Sequence, residues 1–366
     1  LASTAGYVYN YYSSWAGNVV FEAPRMYTQN STYSGTSSLT KTGSSADDSR
    51  GGNTFNGDAI FTHEGSGRWR LNNDNGEVTD CNGDVTFVKT GTGEFSPFYN
   101  GASTVTGDVN INSNTDLIFG RANGSVEFDG TTAQSINDLG SSSYAMIERF
   151  IMNNANDELT INLPVRIDVS LTMRAGNIIT TSTNLLIVED NATTSGGSDD
   201  SFVDGPILKE GNDAFIFPVG GSEFYRPIAI SAPSSSSDVF EAEFFNVPID
   251  AVAYDKTSRE GSLNRISNCD YWELDRTNGT SAVSVTLSWN YDGDFGCRVN
   301  DLTTLTVAHW DAVNSIWTDE GNGGTSGDTL VGTMITAGTV SDFSPFTLGS
   351  TDAKNPLPID LLSFDS

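Results

Sequence analysis

The sequence predicts an all-β protein in which an N-terminal β-solenoid-like repeat domain precedes a β-sandwich domain. Three observations predict this class: 37 glycines among 366 residues, a charged fraction of only 18%, and many short runs in which apolar and polar residues alternate. A chain of this length exceeds what one hydrophobic core usually organises. We therefore expect two domains.

A phrase of the type apolar-x-Gly recurs through the first third of the chain. Three copies, NTFNGDAIF, TDCNGDVTF and STVTGDVNI, continue with the two-residue alternation of a half-buried strand. A repeat of this length with short strands predicts stacked coils. A sandwich of hairpins is the alternative that the same spacing permits. The apolar anchors, spaced 22 to 26 residues apart and each followed two positions later by glycine, are Tyr33, Phe55, Cys81, Val105 and Phe128.

The longest alternating run is Leu159–Met173, in which every second residue is apolar. Its length exceeds an ordinary strand, so we expect one strand that bends near Pro164 and keeps its inner face through a corner. The segment YAMIERF, Tyr144–Phe150, is the only brief helical candidate.

The composition turns polar and glycine-rich at EDNATTSGGSDDS, residues 189–201, where the repeat disappears. We predict a solenoid-like domain over 1–197, a sandwich over 198–350, and a linker or strand extension over 351–366. Four tryptophans of the second domain are expected to fill its core rather than to form a sugar-binding platform. They are Trp272, Trp289, Trp310 and Trp317.

Three repeat aspartates, Asp58, Asp84 and Asp108, have two readings. Their side chains can cap turns. Alternatively, carboxylates stacked on adjacent coils would repel each other and bind Ca²⁺. Asp292 and Asp294 in YDGDFG pose the same choice between a polar turn and Ca²⁺. No cofactor is predicted to be required, and structural Ca²⁺ is the alternative.

The three cysteines are expected to differ in state. Cys81 occupies a repeat anchor, so it should be buried, reduced and inert. Cys269 and Cys297 both lie in the predicted sandwich, and we expect a disulfide between them, the alternative being two buried thiols.

The charge balance, 18 basic against 47 acidic residues and a net charge of -29, excludes a nucleic-acid partner. No stretch approaches the roughly 20 apolar residues of a membrane helix, and the opening residues lack a signal-peptide pattern.

The sequence has two histidines. We expect His63 at an exposed strand end and His309 within a strand. Neither has metal-ligand spacing around it, and the nucleophile motif G-x-S-x-G is absent. The sequence therefore predicts that the chain is not an enzyme.

Several segments resemble large secreted surface proteins of Bacteroidota: SFVDGPILKEGNDAFIFPVGGSEFYRPIAISAP, NCDYWELDRTNGTSAVSVTLSW and the ending PLPIDLLSF. The upstream glycine-rich repeats resemble those that precede this segment in the same proteins. The resemblance implies export by type IX secretion and an extracellular or cell-surface location, and it carries no catalytic residues. Asp328-Thr329-Leu330 resembles the O-glycosylation triplet of exported proteins of this group, which makes Thr329 a candidate modification site.

Three functions are compatible with these features. The first is a structural subunit of an extracellular filament or surface stalk that assembles head to tail with copies of itself by β-strand addition. The second is an adhesin module that binds glycans or a solid surface, and the third is a polysaccharide-degrading solenoid. The C-terminal segment can donate a strand to the next subunit, fold back on its own sandwich, or act as a linker. Its assembly residues would be Leu357, Ile359, Leu361, Leu362 and Phe364.

Overall fold

The computed structural model describes residues 6–290, 298–343 and 345–355. The described residues form β-strands joined by turns, with a single 3₁₀ turn at Ile249–Ala251. This confirms the predicted all-β class. The chain divides into two compact units, Leu1–Ser201 and Phe202–Ser366, so the division follows Ser201 where the sequence predicts it after residue 197.

The N-terminal unit is a β-solenoid of about eight coils, as the repeat predicts. Its strands, in chain order, are β1 (Val8–Tyr11), β2 (Ser14–Trp15), β3 (Val19–Ala23), β4 (Met26–Gln29), β5 (Thr32–Tyr33), β6 (Ser37–Lys41), β7 (Asp47–Asp48), β8 (Thr54–Phe55), β9 (Ala59–His63), β10 (Trp69–Arg70), β11 (Val78–Cys81), β12 (Val85–Lys89), β13 (Phe95–Ser96), β14 (Ala102–Val105), β15 (Val109–Ser113), β16 (Leu117–Phe119), β17 (Ser125–Phe128), β18 (Gln134–Asp138), β19 (Ala145–Asn153), β20 (Leu159–Ile161), β21 (Val165–Ala175), β22 (Ile178–Ile179), β23 (Leu186–Val188) and β24 (Thr193–Gly196).

Each coil contributes one strand to each of three faces, and the strands that pair between neighbouring coils are parallel. The first face contains β1, β4, β7, β10, β13 and β16. The second face contains β2, β5, β8, β11, β14 and β17. The third face contains β3, β6, β9, β12, β15, β18, β20 and β22. The long strands β19 and β21 each continue from the first face onto the second.

The five repeat anchors lie in one column of the second face. The parallel register places Tyr33 beside Phe55, Phe55 beside Cys81, Cys81 beside Val105, and Val105 beside Phe128. All five side chains are at most 1% exposed, and the Tyr33 and Phe55 rings stack with centroids 4.6 Å apart. Burial of an aromatic or large aliphatic side chain contributes roughly 1.5–3 kcal/mol. The repeat therefore encodes the core of the solenoid.

The glycines that follow the anchors lie at the corner between the second and third faces. A Cβ added to Gly57 would lie 2.8 Å from the carbonyl carbon of Gly35, and one added to Gly107 would lie 2.6 Å from that of Gly83. These backbones approach too closely for a side chain, so glycine is required there by packing.

The run Leu159–Met173 turns a corner near Pro164 and keeps its inward phase through it, as predicted, but it is not one strand: β20 ends at Ile161, and β21 begins at Val165 on the next face. A second corner follows within β21, where its register with β19 shifts after Ile167. The helical candidate Tyr144–Phe150 is not a helix: its residues from Ala145 onward belong to strand β19, because the solenoid needs their alternating apolar side chains on the inner side of two faces.

The C-terminal unit contains two antiparallel sheets in a sandwich-like arrangement. Its strands are β25 (Val203–Asp204), β26 (Ile207–Glu210), β27 (Phe215–Phe217), β28 (Val219–Gly221), β29 (Phe224–Tyr225), β30 (Ile228–Ile230), β31 (Val239–Phe245), β32 (Arg265–Ile266), β33 (Tyr271–Asn278), β34 (Val285–Asn290), β35 (Leu305–Asp311), β36 (Ile316–Gly321), β37 (Gly324–Gly327), β38 (Val331–Ile335) and β39 (Phe346–Ser350).

The larger sheet of this unit has the order β26-β31-β33-β39-β35-β36, with β32 also paired to β39. The smaller sheet has the order β27-β30-β34-β38-β37. Trp272, Trp289 and Trp317 are at most 1% exposed, and Trp310 is 8% exposed. The four tryptophans therefore contribute to packing, as the sequence predicts.

Candidate functional site: a tyrosine groove on the solenoid

The repeat aspartates form a ladder of caps between coils. The Asp58 carboxylate accepts a hydrogen bond from the Asp84 N–H at 3.1 Å, and Asp84 accepts one from the Asp108 N–H at 2.9 Å. Asp108 in turn accepts the N–H of Ser135 at 2.7 Å. Each carboxylate thus satisfies a backbone donor that the corner would leave without a strand partner. Turn capping accounts for the recurring aspartate.

Bound calcium stays a prediction. Within the described ranges, no group of three or more His, Cys, Asp or Glu side chains is arranged to hold a metal ion. Asp292 and Asp294 lie outside the described residues.

The prediction that His63 lies at an exposed strand end is wrong. His63 is the last residue of β9 and is fully buried, because it has the same inward phase as Ala59 and Phe61. Its ring stacks on Phe95 with centroids 5.5 Å apart, and Nε2–H donates to the carbonyl of Gly67 at 2.7 Å. Burial lowers the pKa of His63, which favours the neutral ring.

His309 lies in strand β35, as predicted, and is 4% exposed. Its Nδ1 is 3.3 Å from the carboxylate of Glu320, and its ring stacks on Phe346. Both histidines are thus packed against aromatic rings in the interior of their units.

The cysteines differ as follows. Cys81 is free and buried, and burial raises the pKa of its thiol to about 12. Cys269 is disulfide-bonded. Its predicted partner, Cys297, lies outside the described residues, so the pairing stays a prediction.

Thr329 lies at the exposed tip of the β37–β38 hairpin. The preceding carboxylate, Asp328, accepts the N–H groups of Leu330 at 2.8 Å and Val331 at 3.1 Å. The turn therefore presents the threonine to solvent. Modification of this residue stays a prediction.

A half-buried carboxylate face lies on the larger sheet of the C-terminal unit. The antiparallel register of β31 and β33 places Glu241 directly opposite Asp275, and Glu243 directly opposite Glu273. Burial, and then the neighbouring carboxylates Glu273, Glu241 and Asp204, raise the pKa of Glu243 to about 7. Like charges directly opposite each other destabilise a sheet. This face is consequently sensitive to pH.

The most exposed aromatic surface of the described solenoid lies on its first coils. Strand β1 alternates strictly, so Val8 and Asn10 point inward while Tyr9 and Tyr11 point outward. Tyr9 is 59% exposed and Tyr11 is 50% exposed. Their ring centroids are 6.1 Å apart, and the Tyr27 ring of the next coil lies 5.6 Å from that of Tyr9. Three tyrosine rings therefore form a continuous row across two coils.

The row borders a gap in the first face. Strands β4 and β7 belong to separate hydrogen-bonded sheets, and side chains bridge them. The carboxylate of Asp47 accepts the Met26 N–H at 3.1 Å, and the hydroxyl of Ser49 accepts the Thr28 N–H at 3.2 Å. Side chains thus replace backbone hydrogen bonds at Met26 and Thr28, and backbone pairing resumes at the bridge between Gln29 and Gly51.

The resulting groove has a volume of about 390 Å³. We call it the tyrosine groove. The Arg50 side chain is 63% exposed and lies 3.6 Å from Asp74, while Asp48 accepts a hydrogen bond from Arg68 at 3.0 Å. Side chains that carry aromatic rings, amides or a guanidinium make favourable contacts with another protein chain. The groove is lined by Tyr9, Asn10, Tyr11, Tyr27, Thr28, Gln29, Asp48 and Arg50.

The first described coil, which contains β1, β2 and β3, lies at the edge of all three sheets. Within the described part of the chain, β1 pairs only with β4, β2 only with β5, and β3 only with β6. The other edge of each strand is therefore unpaired among these residues. Unpaired parallel edges are templates for an added strand.

The sequence contains an aromatic run, YVYNYYSSW at residues 7–15, but it does not predict the groove. The alternation of the run signals that Tyr9 and Tyr11 point outward. The gap depends on Asp47 and Ser49, which lie outside the repeat phrase and have no recognisable signal.

No helix of the described residues is long and apolar enough to cross a membrane. Comparison with protein-family models, with curated proteins and with solved structures gives no significant match.

Proposed function

We propose that the chain is a structural subunit of an extracellular filament or cell-surface stalk, which assembles head to tail by β-strand addition. The observation that carries this proposal is that, among the described residues, β1, β2 and β3 are each paired along one edge only. A contact between two different surfaces of the subunit can repeat from one copy to the next, so it extends into a polymer.

The composition of the chain supports this role. A net charge of -29 keeps isolated subunits soluble until a specific contact forms. The recurring features of the solenoid are accounted for by packing: the anchors fill the core and the aspartates cap the corners. The resemblance to secreted surface proteins supports an extracellular location.

Negative-stain microscopy and analytical ultracentrifugation test the proposal. Full-length chain should form ordered polymers above a threshold concentration. A chain that ends at Asn355 should remain a folded monomer, because it lacks the candidate donor residues 356–366. Polymers of the same form from the shortened chain would show that strand donation is wrong, and a full-length chain that stays monomeric would contradict the structural role.

An adhesin is the second candidate, and the exposed tyrosine rings favour it. Exposed aromatic rings pack against the apolar faces of sugars as well as against protein. Tight binding of a soluble glycan by a chain that stays monomeric would favour this function over the structural one.

A further inference from the structure

We propose that the tyrosine groove binds residues 356–366 of a second copy of the chain. This inference rests on the proposed head-to-tail assembly, and it adds to the unpaired edges a surface that binds the side chains of the donor segment. Three features of the structure and sequence carry it: the fixed position of Asn355, the apolar pattern of the segment that follows it, and the charge beside the groove.

The chain is held firmly up to Asn355. This residue is fully buried, and its side-chain oxygen accepts the N–H groups of Asn300 at 2.7 Å and Asp301 at 2.8 Å. Its amide nitrogen donates to the Asp301 carbonyl and to the Thr304 hydroxyl, both at 3.0 Å. A buried asparagine with its hydrogen bonds made fixes the position of Asn355, which precedes the last 11 residues of the sequence. Extended, those residues reach about 36–40 Å, enough to meet a neighbouring subunit.

The segment PLPIDLLSFDS has the pattern of an extended ligand. The bond preceding each proline, Pro356 and Pro358, restricts the residue before it to extended conformations, so less entropy is lost on binding. Alternate side chains of an extended chain share one face at roughly 6.6 Å. Leu357, Ile359 and Leu361 would thus repeat at nearly the 6.1 Å spacing of the Tyr9 and Tyr11 rings.

The charge of the groove complements that of the segment. Residues 356–366 contain two aspartates and no lysine or arginine. Arg50 lines the groove and lies 3.6 Å from Asp74, and the guanidinium of Arg25, which pairs with Asp47 at 3.0 Å, lies 5.5 Å from the centroid of the Tyr27 ring. On a chain with 18 basic and 47 acidic residues, two arginines beside an aromatic row give an acidic apolar segment a specific place to bind.

Complementation between full-length variants tests the pairing. The acceptor variant is Tyr9→Ser with Tyr27→Ser, and the donor variant is Leu357→Asp with Ile359→Asp. The control is Tyr7→Ser, which removes a tyrosine that is 65% exposed and does not line the groove. Thermal unfolding of each variant establishes that it is folded, and Arg50→Glu is a second acceptor variant that leaves the aromatic row intact.

Each double variant alone should be monomeric, with the threshold for polymerisation raised on the order of 30-fold or more. Mixed together, they should form a 1:1 dimer and no polymer, because only one donor and one groove remain intact. Tyr7→Ser should polymerise as the unchanged chain does.

Two outcomes would overturn the inference while leaving the filament role intact: an acceptor variant that polymerises normally, or a mixture that stays monomeric although the unchanged chain polymerises. An unchanged chain that never polymerises would overturn the proposed function itself, and the inference with it.

Discussion

The Nζ atom of Lys41 lies 2.9 Å from a carboxylate oxygen of Asp47, and neither side chain is exposed to solvent. The ammonium also donates to the carbonyls of Pro24 at 3.2 Å and Ser45 at 2.8 Å, and Asp47 accepts the Met26 N–H. Lys41 and Asp47 thus join the second and third coils at the point where β4 and β7 lack a backbone ladder.

We expect Lys41→Met to destabilise the chain by about 3 kcal/mol, because it leaves a buried carboxylate without its closest cation. Urea unfolding measures the change. Adding Asp47→Asn should restore part of the loss, since the double variant has no unpaired buried charge. Lys354→Met is the control, because Lys354 pairs with Asp301 while 68% exposed, and it should change stability little. Equal losses at positions 41 and 354 would contradict the expectation.

The corner glycines provide a second prediction. A Cβ at Gly83 would lie 2.8 Å from the Asp58 nitrogen and from the Gly57 carbonyl carbon, so Gly83→Ala should push adjacent coils apart. We expect a loss of roughly 1–3 kcal/mol in the free energy of unfolding. Gly17→Ala is the matched control, because nothing lies within 4 Å of its Cβ position. A Gly83→Ala chain as stable as Gly17→Ala would show that the corner can relax.

The carboxylate face predicts a pH dependence of stability. Burial and neighbouring carboxylates raise the pKa of Glu243 from 4.5 to about 7. Between these values the folded chain binds more protons than the unfolded chain, so this group lowers stability as pH rises. Glu243→Gln should therefore stabilise the chain at pH 8, on the order of 1 kcal/mol after solvent screening, and have little effect at pH 4.5. Urea midpoints at both pH values measure this, and an equal gain at both would be inconsistent with it.

The cysteines predict a simple thiol count. Because burial raises the pKa of Cys81 to about 12, iodoacetamide at pH 8 should leave the native chain unmodified. After unfolding without reductant, one thiol per chain should react, and peptide mapping should place it at Cys81 and link Cys269 to Cys297. A linkage through Cys81, or rapid modification of the native chain, would be incompatible with the anchor column.

Much of the solenoid could be predicted because its core positions repeat in sequence. Phe55, Cys81 and Val105 differ in chemistry, yet spacing alone places them in one column. The prediction for His63 is wrong because the inward phase of the residue, which matches that of Phe61, decides its burial, and its polar residue type does not. The tyrosine groove could not be predicted, because it depends on Asp47 and Ser49 replacing backbone partners between coils.

The parallel register of the anchor column does not shift from one coil to the next, so one coil can take the place of another in the backbone pairing. From Phe55 through Cys81 to Val105, neighbouring coils meet the same way, so removing one coil leaves two surfaces that still match. Each removal would shorten the unit by the spacing of paired strands, about 4.8 Å. The number of coils can therefore set the length of the solenoid unit in fixed increments, and the first and last strands of the unit stay the same.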